Sequence, residues 1–469
     1  MRPAMTLLVM ALAAAAPMTA AAADDTAALL AELKRLAQRV EALEQQNREM
    51  EKSLASERIS EKEPEVVTRL KAVEFQALSM QKQARQIEAL EGISVGASLT
   101  GVVQNANEGS QGTLANYRGD VAVALPGGEI DSAEGKIFAQ LRFGQGDGVA
   151  LGRAYTSTPN TTAFQLAGGP ADDSTVILAQ AWYQLAAPLL RGGTKANARE
   201  HLHLTFGKID PFVFFDQNAA ADDESLKFMN NVFVHNPLLD SGGDIGADTY
   251  GFAPGVIAQY MNEREKGSEW GLSLGVFGAG RGADFTGSLS SPLVIAQAET
   301  AARFNYLPGN YRAYLWSNGR GAGYDGVERR HSGIGFSADQ KVDDGLTMFG
   351  RYGHQIDGKV RFDRALTVGG ELLGNGWGRA ADSLGVAFGA LRTSGDFRND
   401  SPALDADGDG TPDFGYQASG WEKQLELYYR YRINGQVEMT PDFQLIRRPA
   451  GDGASQTIKV VGLRAKVGF

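Results

Sequence analysis

The chain has 469 residues, a formal net charge of -11, 58 glycines, 16 prolines and no cysteine. The missing cysteine excludes a disulfide framework and thiolate chemistry, and the acidic balance argues against a nucleic-acid partner. Abundant glycine with little proline suits strands joined by turns and falls far short of a triple-helical composition.

The N-terminus reads as a secretory signal peptide, residues 1–23. Arg2 precedes the apolar run Leu7 to Ala16, and Ala21-Ala22-Ala23 offers a small-residue cleavage site before Asp24-Asp25. The run is too short to span a bilayer, and no later segment has about 18 consecutive apolar residues, so no transmembrane helix is expected. Such an exported chain is periplasmic, secreted or an outer-membrane barrel.

Residues 24–92 predict an α-helical coiled coil. Leu33, Val40, Asn47 and Leu54 fall at a positions, with Leu29, Leu36, Leu43 and Met50 at d. Asn47 would fix register at some cost in stability. Pro64 breaks the frame. A second helical pattern, through Leu70, Val73, Ala77, Met80, Ala84 and Ile87, ends at Gly92. Its frame is shifted, so it does not cover the first seam. An uncovered seam predicts a homo-oligomer, a trimer first and a dimer second; the bland alternative is a lone surface helix.

From Ile93 the hydrophobic period becomes 2. Alternating segments run Val95–Val103, Val121–Leu125, Ile137–Phe143, Val176–Leu185, Leu202–Phe206, Val256–Met261, Trp270–Phe277 and Leu293–Phe304. They continue at Tyr311–Trp316, Ile334–Val342, Leu346–Tyr352, Leu366–Leu372, Leu384–Leu391, Leu425–Ile433, Val437–Leu445 and Val460–Phe469. About sixteen strands result, an even number, as bacterial barrels require. Tight connections are expected at Leu307-Pro308-Gly309-Asn310, Val342-Asp343-Asp344-Gly345, Asn375-Gly376 and Asn434-Gly435. Long polar loops are expected near 146–175, 207–253, 280–292, 317–330, 393–420 and 447–458, with 188–200 as a departure from the asymmetry. Short turns at one end and long loops at the other mark an outer-membrane barrel. The predicted fold class is thus an all-β transmembrane barrel over 93–469, preceded by the coil on its periplasmic side.

Alternation also assigns faces. Leu425, Leu427, Tyr429 and Tyr431 share one side of a strand; Gln424, Glu426, Tyr428, Arg430 and Arg432 share the other. A water-filled lumen inside and lipid outside accommodate both rows. Parity makes Arg312, Arg351, Glu438, Asp442, Gln444, Arg464 and Lys466 lumen candidates. The longest interruption, Phe206 to Asp240, mixes Phe212, Phe214 and Phe215 with Asp216, Asp222, Asp223, Glu224 and Lys227. A loop of that length and aromatic content is expected to be ordered and functional.

Within that stretch, Gly207-Lys208-Ile209-Asp210, Phe215-Asp216-Gln217-Asn218, Asp223-Glu224, Phe228-Met229-Asn230 and Asn236-Pro237 resemble the motifs of the carbohydrate-selective porin family (OprB-type) of Gram-negative outer membranes. Phe349-Gly350-Arg351-Tyr352-Gly353, the run Glu426 to Tyr431, and Thr440-Pro441-Asp442-Phe443-Gln444 add to it. The resemblance runs from about residue 93 to Phe469 and implies a sixteen-stranded barrel that passes sugars.

Other motifs weigh less. Gly271-Leu272-Ser273-Leu274-Gly275 matches a nucleophile elbow, but the alternation runs through it where a strand-turn-helix is needed. His201 and His203 share a strand face, which lumen polarity explains. Asp405, Asp407, Asp409 and Asp413 supply oxygens at EF-hand-like positions, but Tyr416 replaces the position-12 acid. That outer loop is a candidate Ca2+ site; no other cofactor is expected.

The expected function is therefore a passive channel for sugars and small hydrophilic solutes in the outer membrane, not an enzyme. The alternatives are a non-selective porin or an envelope tether. The constriction candidates are Asp216, Asp222, Asp223, Glu224, Lys227, Arg312, Arg351, Glu426, Tyr428 and Arg430, with Tyr314, Trp316 and Tyr428 as stacking faces for sugar rings.

Overall fold

The computed structural model describes residues 93–469, except 109–111, 150, 152–157, 164–173, 191–194, 196–197, 240–250 and 281–288. The signal peptide and the coil, with Asn47, lie outside the described residues. No described helix is long and apolar enough to cross a membrane, which says nothing of strands.

Sixteen antiparallel strands close into one barrel. They are β1 (Ser94–Ala106), β2 (Thr113–Ile130), β3 (Ala133–Gln145), β4 (Thr175–Pro188), β5 (Glu200–Ile209), β6 (Ala253–Asn262), β7 (Trp270–Phe277) and β8 (Leu293–Phe304). Then follow β9 (Leu307–Ala322), β10 (Glu328–Asp343), β11 (Leu346–Asp357), β12 (Phe362–Gly374), β13 (Arg379–Thr393), β14 (Trp421–Arg432), β15 (Val437–Arg447) and β16 (Ile458–Gly468). Each pairs with its neighbours in sequence, and β1 closes on β16. Closure leaves no free edge, so the ladder satisfies the backbone that a bilayer could not.

Every predicted strand is present, most of them longer than the alternating segment that revealed it. One turn is displaced. Leu307 to Asn310 belongs to β9, and the turn is Asn305-Tyr306, with φ of 50° and 66°. Two successive left-handed residues make the tight turn whose twist matches the strands. The expected turns at Asp344-Gly345, around Asn375-Gly376 and around Asn434-Gly435 are in place, and Asp131-Ser132 forms another. The loop expected over 317–330 is only 323–327, because β9 and β10 extend further than their apolar segments.

Parity holds around the barrel. On β14, Gln424, Glu426 and Tyr428 are buried, whereas Leu427 and Tyr431 are exposed. On β16, Arg464 is buried, with Val461, Leu463 and Phe469 on the outer face. The apolar core lies inside the barrel: Phe215, Phe228, Val232, Phe233, Leu238 and Leu239, all from the long loop after β5, pack against inward residues of the wall.

Candidate functional site

The loop begins where Pro211 ends the β5 ladder. Asp210 accepts the Phe212 amide at 3.0 Å and caps the 3-10 turn Pro211–Val213. The chain then crosses the lumen and forms a one-turn helix, Asn231–Val234, capped by the Asn230 side chain.

Polar pins fix it at two ends. At the first, Asp216 has a left-handed φ of 54°, a costly conformation for a non-glycine residue. Its carboxylate accepts from Tyr314 Oη at 2.8 Å, the Asn236 amide at 2.6 Å and Arg351 Nε at 3.1 Å. Arg351 also reaches the carbonyls of Asp216, at 3.0 Å, and Phe233, at 2.7 Å. Gly353 leaves room for Asn236, since a Cβ there would collide with the Asn236 amide group. At the other end, Glu426 accepts the amides of Met229 and Asn230 at 2.5 and 3.0 Å. Arg464 donates to the carbonyls of Glu224 and Lys227 at 2.9 and 2.7 Å.

These pins correct part of the sequence reading. Asp216, Lys227, Arg351, Glu426 and Tyr428 are buried, as are Tyr314 and Trp316. They hold the loop and leave a solute little surface to meet. The Tyr428 ring meets Phe228 edge-on at 4.9 Å, and the Lys227 ammonium donates to the Ala219 carbonyl. Alternation shows that a side chain points inward but not that a loop then covers it.

The remaining candidates keep solvent access. Asp222 is exposed, and Asp223, Glu224, Arg312 and Arg430 are part-exposed. Arg430 lies 3.3 Å from Glu371, and Arg312 lies 3.2 Å from Asp339 and 3.6 Å from Glu299. Glu224 accepts from Arg118 at 2.6 Å, and Arg118 in turn contacts Asp120 at 3.1 Å. Arg142 joins Asp120 at 2.7 Å. The loop acids differ from ordinary carboxyls. Burial alone would raise Asp223, but Lys466, the Ser225 hydroxyl and amide, and Lys227 outweigh it and hold it low. Burial likewise opposes ionisation of Glu224, and Arg118 outweighs that. Both therefore present negative charge beside a basic wall.

Sequence reasoning missed Arg118, Asp120, Arg142, Glu299 and Glu371, although the parity that found Arg430 applies to each. It also missed a second inward segment in the β3–β4 loop. There the Pro159 carbonyl accepts from Gln104 and Gln444 at 3.2 and 2.8 Å, and the Thr161 amide bonds Met229 O at 2.9 Å.

In the outer loop after β13, Asp405, Asp407 and Asp409 bring one oxygen each within 4.8 Å of one another. Asp413 does not join them; it accepts the Ala406 amide at 2.9 Å. His201 and His203 point inward, with ring centroids 6.1 Å apart.

Comparison with known proteins follows from this geometry. The family model described as "Carbohydrate-selective porin, OprB family" matches residues 28–469. It thus begins well before residue 93, where the motif resemblance was read to start. No curated protein sequence matches the chain. Among solved structures, the high-pH structure of Pseudomonas putida OprB is similar with a TM-score of 0.65 and 17% identity, covering 83% of this chain and 97% of that one. The low-pH structure of the same protein gives 0.45 and 15%, with coverage of 83% and 97%. The outer membrane channel DcaP of Acinetobacter baumannii gives 0.45 and 14%, with coverage of 80% and 97%. The first likeness bears on the barrel fold alone.

Proposed function

Because the chain belongs to the carbohydrate-selective porin, OprB family, it is an outer-membrane channel for carbohydrates, and we propose that its selectivity resides in the charged groups left accessible beside the inward loop. The observation that carries this reading is the division of labour within the loop. Its buried residues fix it to the wall, while Asp222, Asp223 and Glu224 remain within reach of the lumen. Arg312 and Arg430 supply planar donors, and the carboxylates supply acceptors, for solute hydroxyls. Such contacts must stay weak and multiple for a solute to leave. Aromatic stacking by Tyr314, Trp316 or Tyr428 is not part of the reading, since those rings are covered.

The test is liposome swelling with sugars of graded size, for the wild type and for a deletion of Asp216 to Asn231. The deletion should admit larger sugars and raise single-channel conductance. A folded deletion with unchanged permeability would overturn the assignment of selectivity to this loop.

We further propose that residues 24–92 form a periplasmic coiled coil that joins copies of the chain, a trimer first. The even strand number puts both barrel ends on the short-turn side, and the family match includes most of this segment. Sedimentation of the full chain in mild detergent, with and without residues 24–92, tests it. A monomer in both cases would sink the idea.

A further inference from the structure

Beyond sugar passage, the outer face of the barrel carries a charge pattern that the channel itself does not use. On β11 to β16 an outward position toward the long-loop end is basic: His354, Arg364, Arg392, Lys423, Arg447 and Lys459, with the outward Ile356 and Trp421 one step beyond His354 and Lys423. The register makes them neighbours. His354 pairs with Arg364, and Arg364 with Arg392. Lys423 pairs with Arg447 and lies across from Ala390, two residues below Arg392. Lys459 pairs with Leu445, two residues below Arg447. Below each cation runs a column of outward apolar residues, such as Leu425 and Leu427 below Lys423, or Val461 and Leu463 below Lys459. At the same end of β6 to β9 the outward positions are Val256, Val276, Val294 and Ser317. The belt is therefore densest on β11 to β16 and thins over β6 to β9, with the outward Arg330 of β10 at its margin, donating to Ser317 at 3.2 Å.

The cations have little to neutralise them from within the chain. Arg392 lies 3.9 Å from Asp363. Among the described residues, no ion pair joins Arg364, Lys423, Arg447 or Lys459 to a carboxylate, and the buried Arg364 Nε has no partner. Cations set at the edge of hydrocarbon are costly unless their ends reach a polar layer. Several on one arc also repel one another. An anionic layer at that height resolves both problems, and planar guanidinium groups bind phosphate in bidentate fashion.

We propose that this belt is a binding surface for phosphorylated lipid head groups of the outward leaflet. The long-loop end is the extracellular end of such barrels, so the leaflet in question is the outer one. Its head groups would dock along β11 to β16, leaving the arc of β6 to β9 for apolar contact. No covalent chemistry is involved. The proposal does not rest on the selectivity reading, because every belt residue points away from the lumen.

The test uses the full chain in detergent, titrated with bis-phosphorylated lipid A and with the same lipid dephosphorylated, and read by native mass spectrometry. Wild type should prefer the phosphorylated form by about tenfold or more. The variant R364Q/R392Q/K423Q/R447Q/K459Q should lose that preference, while K266Q/R303Q at the short-turn end should keep it. Sugar swelling rates should be the same in all three. If the five-site variant does not reach the heat-modifiable folded form, K423Q/K459Q answers the same question with a smaller loss. Equal binding of both lipids by wild type, or full preference in a folded belt variant, would overturn the proposal. Displacement of the lipid by millimolar inorganic phosphate would overturn it too, since the surface would then be reading a free anion.

Discussion

Arg351 Nε and Asp216 Oδ1 lie 3.1 Å apart, and the two side chains are 1% and 0% exposed. The pair sits among neutral groups that bond to it: Tyr314, Asn236, Gln297 and two loop carbonyls. Removing one partner of a buried pair strands the other, at a typical cost of about 3–5 kcal/mol. Arg351→Ala should therefore free the loop rather than alter charge in the passage. The expected outcome is a lower thermal midpoint and a noisier, larger single-channel conductance. The double change Arg351→Ala with Asp216→Asn should recover part of the stability. If Arg351→Ala shifts ion selectivity with unchanged stability and noise, the pinning role is wrong.

Arg430 behaves differently because solvent reaches it. It faces Glu371 at 3.3 Å. Arg430→Ala should shift selectivity toward cations, since a fixed positive charge leaves a low-dielectric passage and Glu371 remains. Reversal potentials across a salt gradient measure this. Adding Glu371→Gln should bring selectivity back toward the wild type. An unchanged reversal potential in Arg430→Ala would place Arg430 outside the path.

The loop after β13 yields a calcium test. Asp405 Oδ1 accepts the amides of Gly408 and Asp409 at 2.8 and 3.1 Å, and Oδ2 that of Gly410 at 2.8 Å, so the turn is already shaped by its first acid. Three carboxylates without a bidentate acid should bind Ca2+ weakly, with Kd on the order of 10⁻⁴–10⁻³ M. Isothermal titration should show that heat for wild type and lose it for Asp407→Asn with Asp409→Asn. No heat for wild type at millimolar Ca2+ would settle the loop as an acidic turn only.

The contrast between Leu427 and Tyr428 illustrates how far the sequence carries. Parity put Leu427 outside and Tyr428 inside, and both are so placed, because the side-chain period of a strand is 2 and a one-residue slip would invert every face. All sixteen strands were legible for that reason. What lay beyond was anything decided by a second segment. Tyr428 and Glu426 point into the lumen but meet Phe228 and the amides of Met229 and Asn230, nearly two hundred residues earlier in the chain. The Asn305-Tyr306 turn was missed because Pro308-Gly309 is the stronger turn signal by composition. Proline at that place sits near the strand end, opposite Arg303, where a missing ladder donor matters least.

The outer loops are tied by a cluster that predicts a pH response. Lys359 Nζ lies 2.8 Å from Asp400 and 3.4 Å from Asp325, and the Tyr324 hydroxyl donates to Asp400 at 2.7 Å. Arg329 adds a 3.0 Å contact to Asp325. The Tyr324 ring packs on Phe397 at 5.1 Å. Apart from Arg329, at the start of β10, these residues come from the β9–β10, β11–β12 and β13–β14 connections, so the cluster clamps three loops together. Hydrogen bonds from Lys359 and Tyr324 hold the Asp400 carboxyl below its ordinary range. Burial works against Asp325, but the Val327 amide and Arg329 outweigh it, so it too is held low. Lys359 is raised by its hydrogen bond to Asp400. A lowered carboxyl contributes stability above its unfolded value, about pH 4, and loses it as pH falls through the folded value. A raised lysine contributes below about pH 10 and loses its part only as pH rises further. The clamp should therefore hold through the neutral range and loosen in acid. The pairs are partly solvated, so the effect on global stability should be small, while the effect on the loops should be local. Hydrogen exchange of residues 395–420 should speed up on acidification more than exchange in β13 and β14. Asp400→Asn should bring that faster exchange to neutral pH, and Asp325→Asn should do so to a lesser degree. If Asp400→Asn leaves exchange of 395–420 at its wild-type rate at neutral pH, the three loops are held by their aromatic packing and not by this cluster.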